Sequence, residues 1–298
     1  MKPSIAIVGC GKVGTTLGLY LLKAGYPLVG VGSKSMASAK KAAGLLGDAP
    51  FTDAPWEITP EADVVMITTP DGVIAEACDQ IAANDGFREG TIVLHCSGAL
   101  PSSELVSAKK ATAFIGSLHP LQSFAAYPVG PVGDATNPFS GIIAAIEGDP
   151  QAVVVARAMA ADLGAEAYTI KTEAKTLYHA AAVVASNYLV ALIDLAFKLI
   201  GAAGIAQKDA FNVLRPLIDG TLANIGRVGI PQALTGPIVR GDTATVKQHV
   251  EAIKDQTPDL FDVYQQLGRQ TIAVAVAKGD IDQDVADKLA TALLGLGK

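Results

Sequence analysis

The sequence has little of what several function classes require. Its 298 residues include only three cysteines, Cys10, Cys78 and Cys96, at irregular spacing. An odd, scattered set excludes a disulfide scaffold and points to a reducing compartment, so the chain is expected in the cytoplasm. The three thiols read as small apolar residues. The four histidines show no paired metal-ligand spacing, and no metal site is expected. Charged residues make up 17%, the formal net charge is -6, and no cluster of Lys and Arg stands out. Nucleic acid is not expected as a partner, because a phosphate backbone demands a basic face. No N-terminal segment reads as a signal peptide. The most apolar stretch, residues 180–205, contains Ser186, Asn187, Asp194 and Lys198, a poor composition for a membrane span. A helix apolar nearly all round is expected in a core or a subunit interface.

What is present is alternation. Half of the residues are hydrophobic, enough for a sizeable core, and the length favours about two domains. Short apolar runs at residues 4–8, 28–32, 63–69, 91–95, 112–118, 142–147 and 167–170 alternate with stretches of helical spacing. This predicts an α/β domain with a doubly wound, mostly parallel sheet covered on both faces. From Thr172 onward strand signal almost vanishes and long helical patterns take over. The expected domains are therefore 1–170 and an all-helical 171–298. Pro231 and Pro258 fall where helices should start or break. Residues 124–138 are rich in Pro and Gly and read either as an ordered loop over a site mouth or as a plain connection.

The first apolar run ends in Gly9-Cys10-Gly11-Lys12-Val13-Gly14, which opens a helix. Gly9 permits a tight turn, Gly11 lets the backbone approach a pyrophosphate, and Gly14 lets helix and strand pack closely. The helix N-terminus then offers free N–H groups to phosphates. A dinucleotide cofactor is expected here. The second run ends in Gly32-Ser33-Lys34-Ser35, without the acidic residue that would hold a ribose 2′-hydroxyl. Ser33, Lys34 and Ser35 suit a 2′-phosphate instead, which favours NADP, with NAD possible. A solvated loop with a Ser helix cap is the plain alternative. Thr69 and Pro70 close the third clear run and are expected to border the adenosine or ribose; a helix start with Asp71 as cap or early acid is the plain alternative.

Chemistry has three candidate places. Ser97 and His119 follow two further runs, where Ser97 could touch nicotinamide or substrate and His119 could donate a proton or bind a carboxylate. A turn hydroxyl and a backbone-satisfied imidazole are the plain alternatives. Lys175, His179, Ala182 and Ser186 follow helical spacing and share one face, with Asn187 about 80° from His179. A Lys in a partly dry cleft has a lowered pKa and could protonate a carbonyl oxygen; a solvated Lys in the first turn, with His179 or Asn187 as a helix-packing polar contact, is the plain alternative. Replacing Lys175 by Ala is then expected to cut turnover at least about a hundredfold. Arg240 could bind a substrate carboxylate, while Asp242 could equally cap the next helix.

These segments together resemble a superfamily of NAD(P)-dependent reductases. It includes 6-phosphogluconate dehydrogenase, β-hydroxyacid dehydrogenases, ketopantoate reductase and pyrroline-5-carboxylate reductase. Leu118-His119-Pro120-Leu121-Gln122-Ser123-Phe124, Tyr178-His179-Ala180-Ala181-Ala182, Ser186-Asn187-Tyr188 and residues 234–242 resemble one branch in particular. That branch joins a Rossmann-like domain to a C-terminal domain of unknown function. The resemblance spans nearly the whole chain. It implies a Rossmann domain followed by a helical domain of the 6-phosphogluconate dehydrogenase C-terminal type, a homodimer built on that domain, and a catalytic Lys at Lys175. Where β-hydroxyacid dehydrogenases carry an Asn one turn later, this chain has His179. Their Ser-Gly-Gly turn is replaced by Gln122-Ser123-Phe124, with Ser123 a candidate for substrate contact, as is Ser186. The Asn-Gly of ketopantoate reductase is here Ser97-Gly98. The leading expectation is an NADP(H)-dependent oxidoreductase of a small keto or hydroxy acid, with Lys175 as proton donor and His179, Ser97, His119 and Asn187 orienting. Cyclic imine reduction and a non-catalytic NADP-binding sensor or scaffold are the rivals.

Overall fold

The computed structural model describes residues 1–124 and 137–295. Most of the loop expected at 124–138 therefore lies outside the described residues. The chain divides into two compact units, Met1–Asn187 and Tyr188–Lys298.

The first unit carries an eight-stranded sheet. Its strands are β1 (Ile5–Val8), β2 (Leu28–Gly32), β3 (Phe51–Thr52), β4 (Val64–Ile67), β5 (Ile92–His95), β6 (Phe114–Pro120), β7 (Ile143–Gly148) and β8 (Glu166–Thr169). They lie in the order β3-β2-β1-β4-β5-β6-β7-β8. Every neighbouring pair is parallel except β6 and β7, which are antiparallel. The helices are α1 (Lys12–Lys23), α2 (Met36–Leu45), α3 (Ile74–Ala83), α4 (Val106–Lys110), α5 (Pro150–Leu163) and α6 (Lys175–Val183).

Alternate side chains of a strand point to opposite faces, so continuously apolar strands feed two cores. Ile5, Ile7, Val64 and Met66 pack with Leu17, Leu21, Ala42 and Met159 of α1, α2 and α5. Ala6, Val8, Val65 and Ile67 pack with Ile74, Cys78, Ile81 and Ala108 of α3 and α4. The expected doubly wound α/β class holds, and each expected apolar run forms a strand. Strand β3 was not expected: it spans two residues with an exposed Phe51 and has no apolar run to signal it.

The second unit is helical: α7 (Leu189–Ala202), α8 (Gln207–Val228), α9 (Ile230–Ala233), α10 (Thr243–Gln256), α11 (Phe261–Lys278) and α12 (Gln283–Leu294). Val246, Val250, Ile272, Ala275, Leu289 and Leu293 form its core. Asp242 caps α10, accepting from the Thr245 amide at 3.0 Å and the Thr245 hydroxyl at 2.6 Å. This is the capping role weighed for it in the sequence.

The long helical stretch Thr172–Ala202 requires two corrections. First, it is long and apolar enough to cross a membrane, yet only 6% of its most apolar window is buried within the chain. Burial in the chain's own core, one of the two expectations, does not occur. Second, Val184–Tyr188 form a π-helical turn. The extra residue per turn breaks the 100° arithmetic that placed Ser186 on the stripe of Lys175 and His179. Ser186 and Asn187 are exposed. Texture changes in sequence at 170/171, whereas the units divide after Asn187, because α6 seats Lys175 against the sheet.

Candidate functional site

The glycine turn sits between β1 and α1. Gly9 adopts φ +107, a region that favours glycine, and a Cβ there would lie 2.7 Å from the Thr68 carbonyl carbon. Thr68 locks the turn to the end of β4, its hydroxyl donating to the Gly9 carbonyl at 2.7 Å. A Cβ on Gly14 would overlap both Gly9 O and Thr68 Oγ1. Gly11 is different. Its φ of -76 suits any residue, and among the described residues nothing beyond its own stretch of chain lies within 4 Å of where its Cβ would stand. The fold itself does not require glycine at this position.

Gly11 is also the N-cap of α1, and no side chain caps that end among the described residues. Lys12 and Val13 form the first turn beyond it. Cys10 is buried, and burial pushes its thiol up to about 11, so it packs rather than reacts. Thr69 follows β4, and its Oγ1 is buried with no partner among the described residues. Pro70 is exposed beside it. An uncapped helix N-terminus, a space in front of Gly11 and an orphaned hydroxyl suit a phosphate-bearing cofactor.

At the end of β2 the Ser33 amide donates to Thr52 O at 3.1 Å. Lys34 and Ser35 are exposed, and Ser35 caps α2 by accepting from the Ser38 amide at 3.4 Å. The capping expected of Ser35 and an exposed cation at Lys34 are thus both present.

A second cluster forms around Gly98. A Cβ on Gly98 would lie 2.6 Å from His179 Nδ1 and 2.8 Å from His119 Nε2. His119 Nδ1 is 2.9 Å from the Tyr178 hydroxyl. The His119 and His179 rings stand edge to face, 6.2 Å apart. Burial, then the charges of Lys175 and His179, push His119 down to about 4, so it is neutral near pH 7. Burial pushes the Tyr178 hydroxyl up to about 12. If Tyr178 donates to Nδ1, the His119 proton sits on Nε2; if it accepts from Nδ1, Nε2 is left as an acceptor. His179 Nδ1 is buried and has no partner among the described residues.

Lys175 belongs to a different set. It is 1% exposed, and its ammonium donates to Ser117 Oγ at 2.5 Å and to Glu147 Oε1 at 3.2 Å. Glu147 Oε1 also accepts from the Ser102 amide at 2.9 Å. Its Oε2 accepts from Ser102 Oγ at 2.7 Å and Thr172 Oγ1 at 2.9 Å. Burial alone would raise Glu147. The Ser102 bonds, the Lys175 charge and the hydroxyls of Ser117 and Thr172 outweigh it and hold the carboxyl below its ordinary range. Burial lowers Lys175 from its usual range despite Glu147.

The antiparallel pairing sets Ser117 opposite Glu147, and His95 lies beside Ser117 on β5. His95 is fully buried and fixed at both nitrogens. Nδ1 accepts from the Ser97 amide at 3.1 Å, and Nε2 is 3.2 Å from Pro101 O.

The structure thus brings His119 and His179 together and sets Lys175 behind them among Ser117 and Glu147. Ser97 Oγ accepts from the Ala99 and Leu100 amides at 3.1 and 3.0 Å, the turn role weighed for it. Ser123 is exposed, its amide bonded to Gln122 Oε1 at 2.8 Å. Arg240 lies in the second unit, exposed, beside the capping Asp242. Sequence reasoning did not single out Glu147, Ser117 or Tyr178 as site residues. Tyr178 was within reach, adjacent to His179, but Glu147 and Ser117 depend on an antiparallel pairing that no local pattern announces.

Residues 1–120 match the model of a Rossmann-like domain, and residues 142–271 match that of a domain of unknown function, DUF2520. The chain joins these two domains. No curated protein matches it in sequence. Among solved structures it is similar to the "putative NADP oxidoreductase BF3122" of Bacteroides fragilis, at 25% identity and TM-score 0.72, covering 91% of this chain and 98% of that one. An imine reductase from Pseudomonas sp. aligns at 18% identity and TM-score 0.65, covering 98% and 100%. The 1-pyrroline-5-carboxylate reductase of Streptococcus pyogenes aligns at 14% and TM-score 0.60, covering 97% and 99%, which shows a shared fold.

Proposed function

We propose that the protein is an NADP(H)-dependent oxidoreductase that reduces a polarised double bond of a small molecule, with an imine as the favoured substrate class. The observation that carries the cofactor reading is Gly11, a glycine that the fold does not require, in front of an uncapped helix end. The description of the Bacteroides fragilis relative as an NADP oxidoreductase supports it. Gly9, Cys10, Gly11, Lys12, Val13 and Gly14 would hold the pyrophosphate through backbone N–H groups. Ser33, Lys34 and Ser35 would meet the 2′-phosphate, and Thr69 and Pro70 the ribose. The bound cofactor supplies a hydride.

The protein's own contribution lies around Gly98. His119 offers a neutral imidazole, with Nε2 beside Gly98, and His179 an unpartnered ring nitrogen. A carbonyl needs an acid as it is reduced, whereas an imine is readily protonated in solution. The Lys175 ammonium is committed to Glu147 and Ser117. That commitment favours the imine over the keto acid, which would need Lys175 to leave its pair. The pair is neutral overall and does not oppose an iminium cation.

The exposed apolar side chains of α7 and α8, among them Val190, Phe211 and Leu217, support a homodimer built on the helical unit. Three free cysteines accord with a cytoplasmic setting. Titration of the purified protein with NADPH and NADH tests the cofactor reading. NADPH should bind at least about tenfold more tightly, as a charge-assisted 2′-phosphate contact implies. Equal or tighter NADH binding overturns the NADP assignment. Light scattering at micromolar concentration should give a dimer, and a monomer removes that part.

A further inference from the structure

We propose that Glu147 is a positioning residue for the histidine pair, its one carboxylate drawing together the three elements that carry Gly98, His119 and His179. The proposal rests on the reductase reading only for its activity readout.

Each of the three elements is bonded to the Glu147–Lys175 pair. The turn after β5 carries Gly98, and it ends on Ser102, whose amide and hydroxyl both donate to Glu147. Strand β6 carries His119, and two residues earlier Ser117 accepts from Lys175. Helix α6 carries His179. Lys175 lies one turn earlier on the same face, and Thr172 just before the helix donates to Glu147.

The clearance at Gly98 leaves no room for looseness. A Cβ on Gly98 would meet both imidazoles at under 3 Å, so turn, strand and helix close on one point. Among the described residues Glu147 makes no hydrogen bond to Gly98, His119 or His179. Its carboxylate accepts twice from Ser102 and once each from Lys175 and Thr172, and the Ser117 hydroxyl also acts on it. It is itself 2% exposed and cannot meet a ligand without leaving this network. A carboxylate buried at this depth is costly unless fully paired. Here the pairing connects the separate elements that bear the histidines, which a purely local ion pair would not do.

The test compares wild type with Glu147→Gln, which keeps the shape and removes the charge. Imidazole NMR of the ligand-free protein reads the geometry directly, with His249 of the second unit, 2.9 Å from the Tyr264 hydroxyl, as internal reference. Contacts from Gly98 to the His119 and His179 rings should weaken, and both ring resonances should move while His249 stays. With substrate, kcat should fall at least about thirtyfold, as small misplacements do, with KM and the NADPH dissociation constant within about twofold. Unchanged ring contacts together with unchanged kcat overturn the proposal. A variant with lower thermal stability but unchanged ring contacts also overturns it, since Glu147 would then be only a stabilising group.

Should Glu147→Gln fail to fold, Ser102→Ala combined with Thr172→Val removes both bonds to Oε2 and spares the ion pair. The same ring contacts should weaken, with a smaller loss of kcat of about threefold to tenfold. Intact contacts there are the contrary result. If wild type shows the ring contacts and their loss in the variant, but turns over no imine or ketone, the positioning role stands and the reductase reading falls.

Discussion

His179 Nδ1 and Gly98 face each other so closely that a methyl group on the glycine would stand 2.6 Å from the ring nitrogen. The backbone at Gly98 needs no left-handed conformation, since it is not among the positive-φ glycines. Glycine is required there by proximity alone. Gly98→Ala should therefore displace His119 or His179 and lower kcat at least about tenfold. NADPH binding should persist, because the glycine turn lies on other elements. Steady-state kinetics beside a cofactor titration check this. An alanine variant with wild-type kcat contradicts the assignment of the histidine cluster.

Gly11 and Gly14 separate the cofactor's requirements from those of the fold. Gly11→Ala should leave the cofactor-free protein as stable as wild type, or slightly more so by up to about 1 kcal/mol. It should weaken NADPH binding at least about tenfold, since a methyl group enters the space in front of the helix end. Gly14→Ala should instead destabilise the protein itself by about 1–3 kcal/mol, through overlap with Gly9 O and Thr68 Oγ1. Denaturant melts with and without cofactor distinguish the two.

Much of this was legible in the sequence, and the exceptions have physical causes. The run at 4–8, its glycines and the following helix announced the β1–α1 turn, because strand, turn and helix are contiguous. His119 and His179 were both singled out. Their meeting place at Gly98 was not, since it joins positions on three separate elements. Glu147 was read only as the end of an apolar run. Its partners are 45, 28 and 25 residues away, at Ser102, Lys175 and Thr172, so no window of sequence contains them. Ser186 was misplaced because a π-turn is invisible to 100° arithmetic.

Acid stability should follow the buried histidines. His95 is pushed to about 4 from 6.5 by burial and then by Lys175, and His119 likewise by burial, then Lys175 and His179. A depressed imidazole binds its proton later in the folded state than in the unfolded chain. Stability is then full above pH 6.5 and falls as pH drops towards 4. The fully buried His95 alone contributes about 3 kcal/mol to that fall. Melting temperature should decline steeply from pH 6.5 to 4, with further loss below 4.5 as Glu147 protonates. A flat profile across that window contradicts the neutral, buried state of these rings.

Lys34 should govern cofactor choice. It is exposed at the end of β2, where it can move to a 2′-phosphate without breaking an internal bond found among the described residues. Lys34→Ala should weaken NADPH binding by about fivefold to tenfold and leave NADH unchanged. Calorimetric titration with both cofactors measures this, and an equal loss for both would show that Lys34 meets no 2′-phosphate.

The most direct measurement is consumption of NADPH by the purified protein with a panel of cyclic imines and small keto acids. Absorbance of the reduced cofactor is followed in each case. Absorbance should fall with at least one imine, faster than with any keto acid, and this loss should disappear in Gly98→Ala. Tight NADPH binding with no turnover of any panel member contradicts the assignment of the Gly98, His119 and His179 cluster as a reducing site.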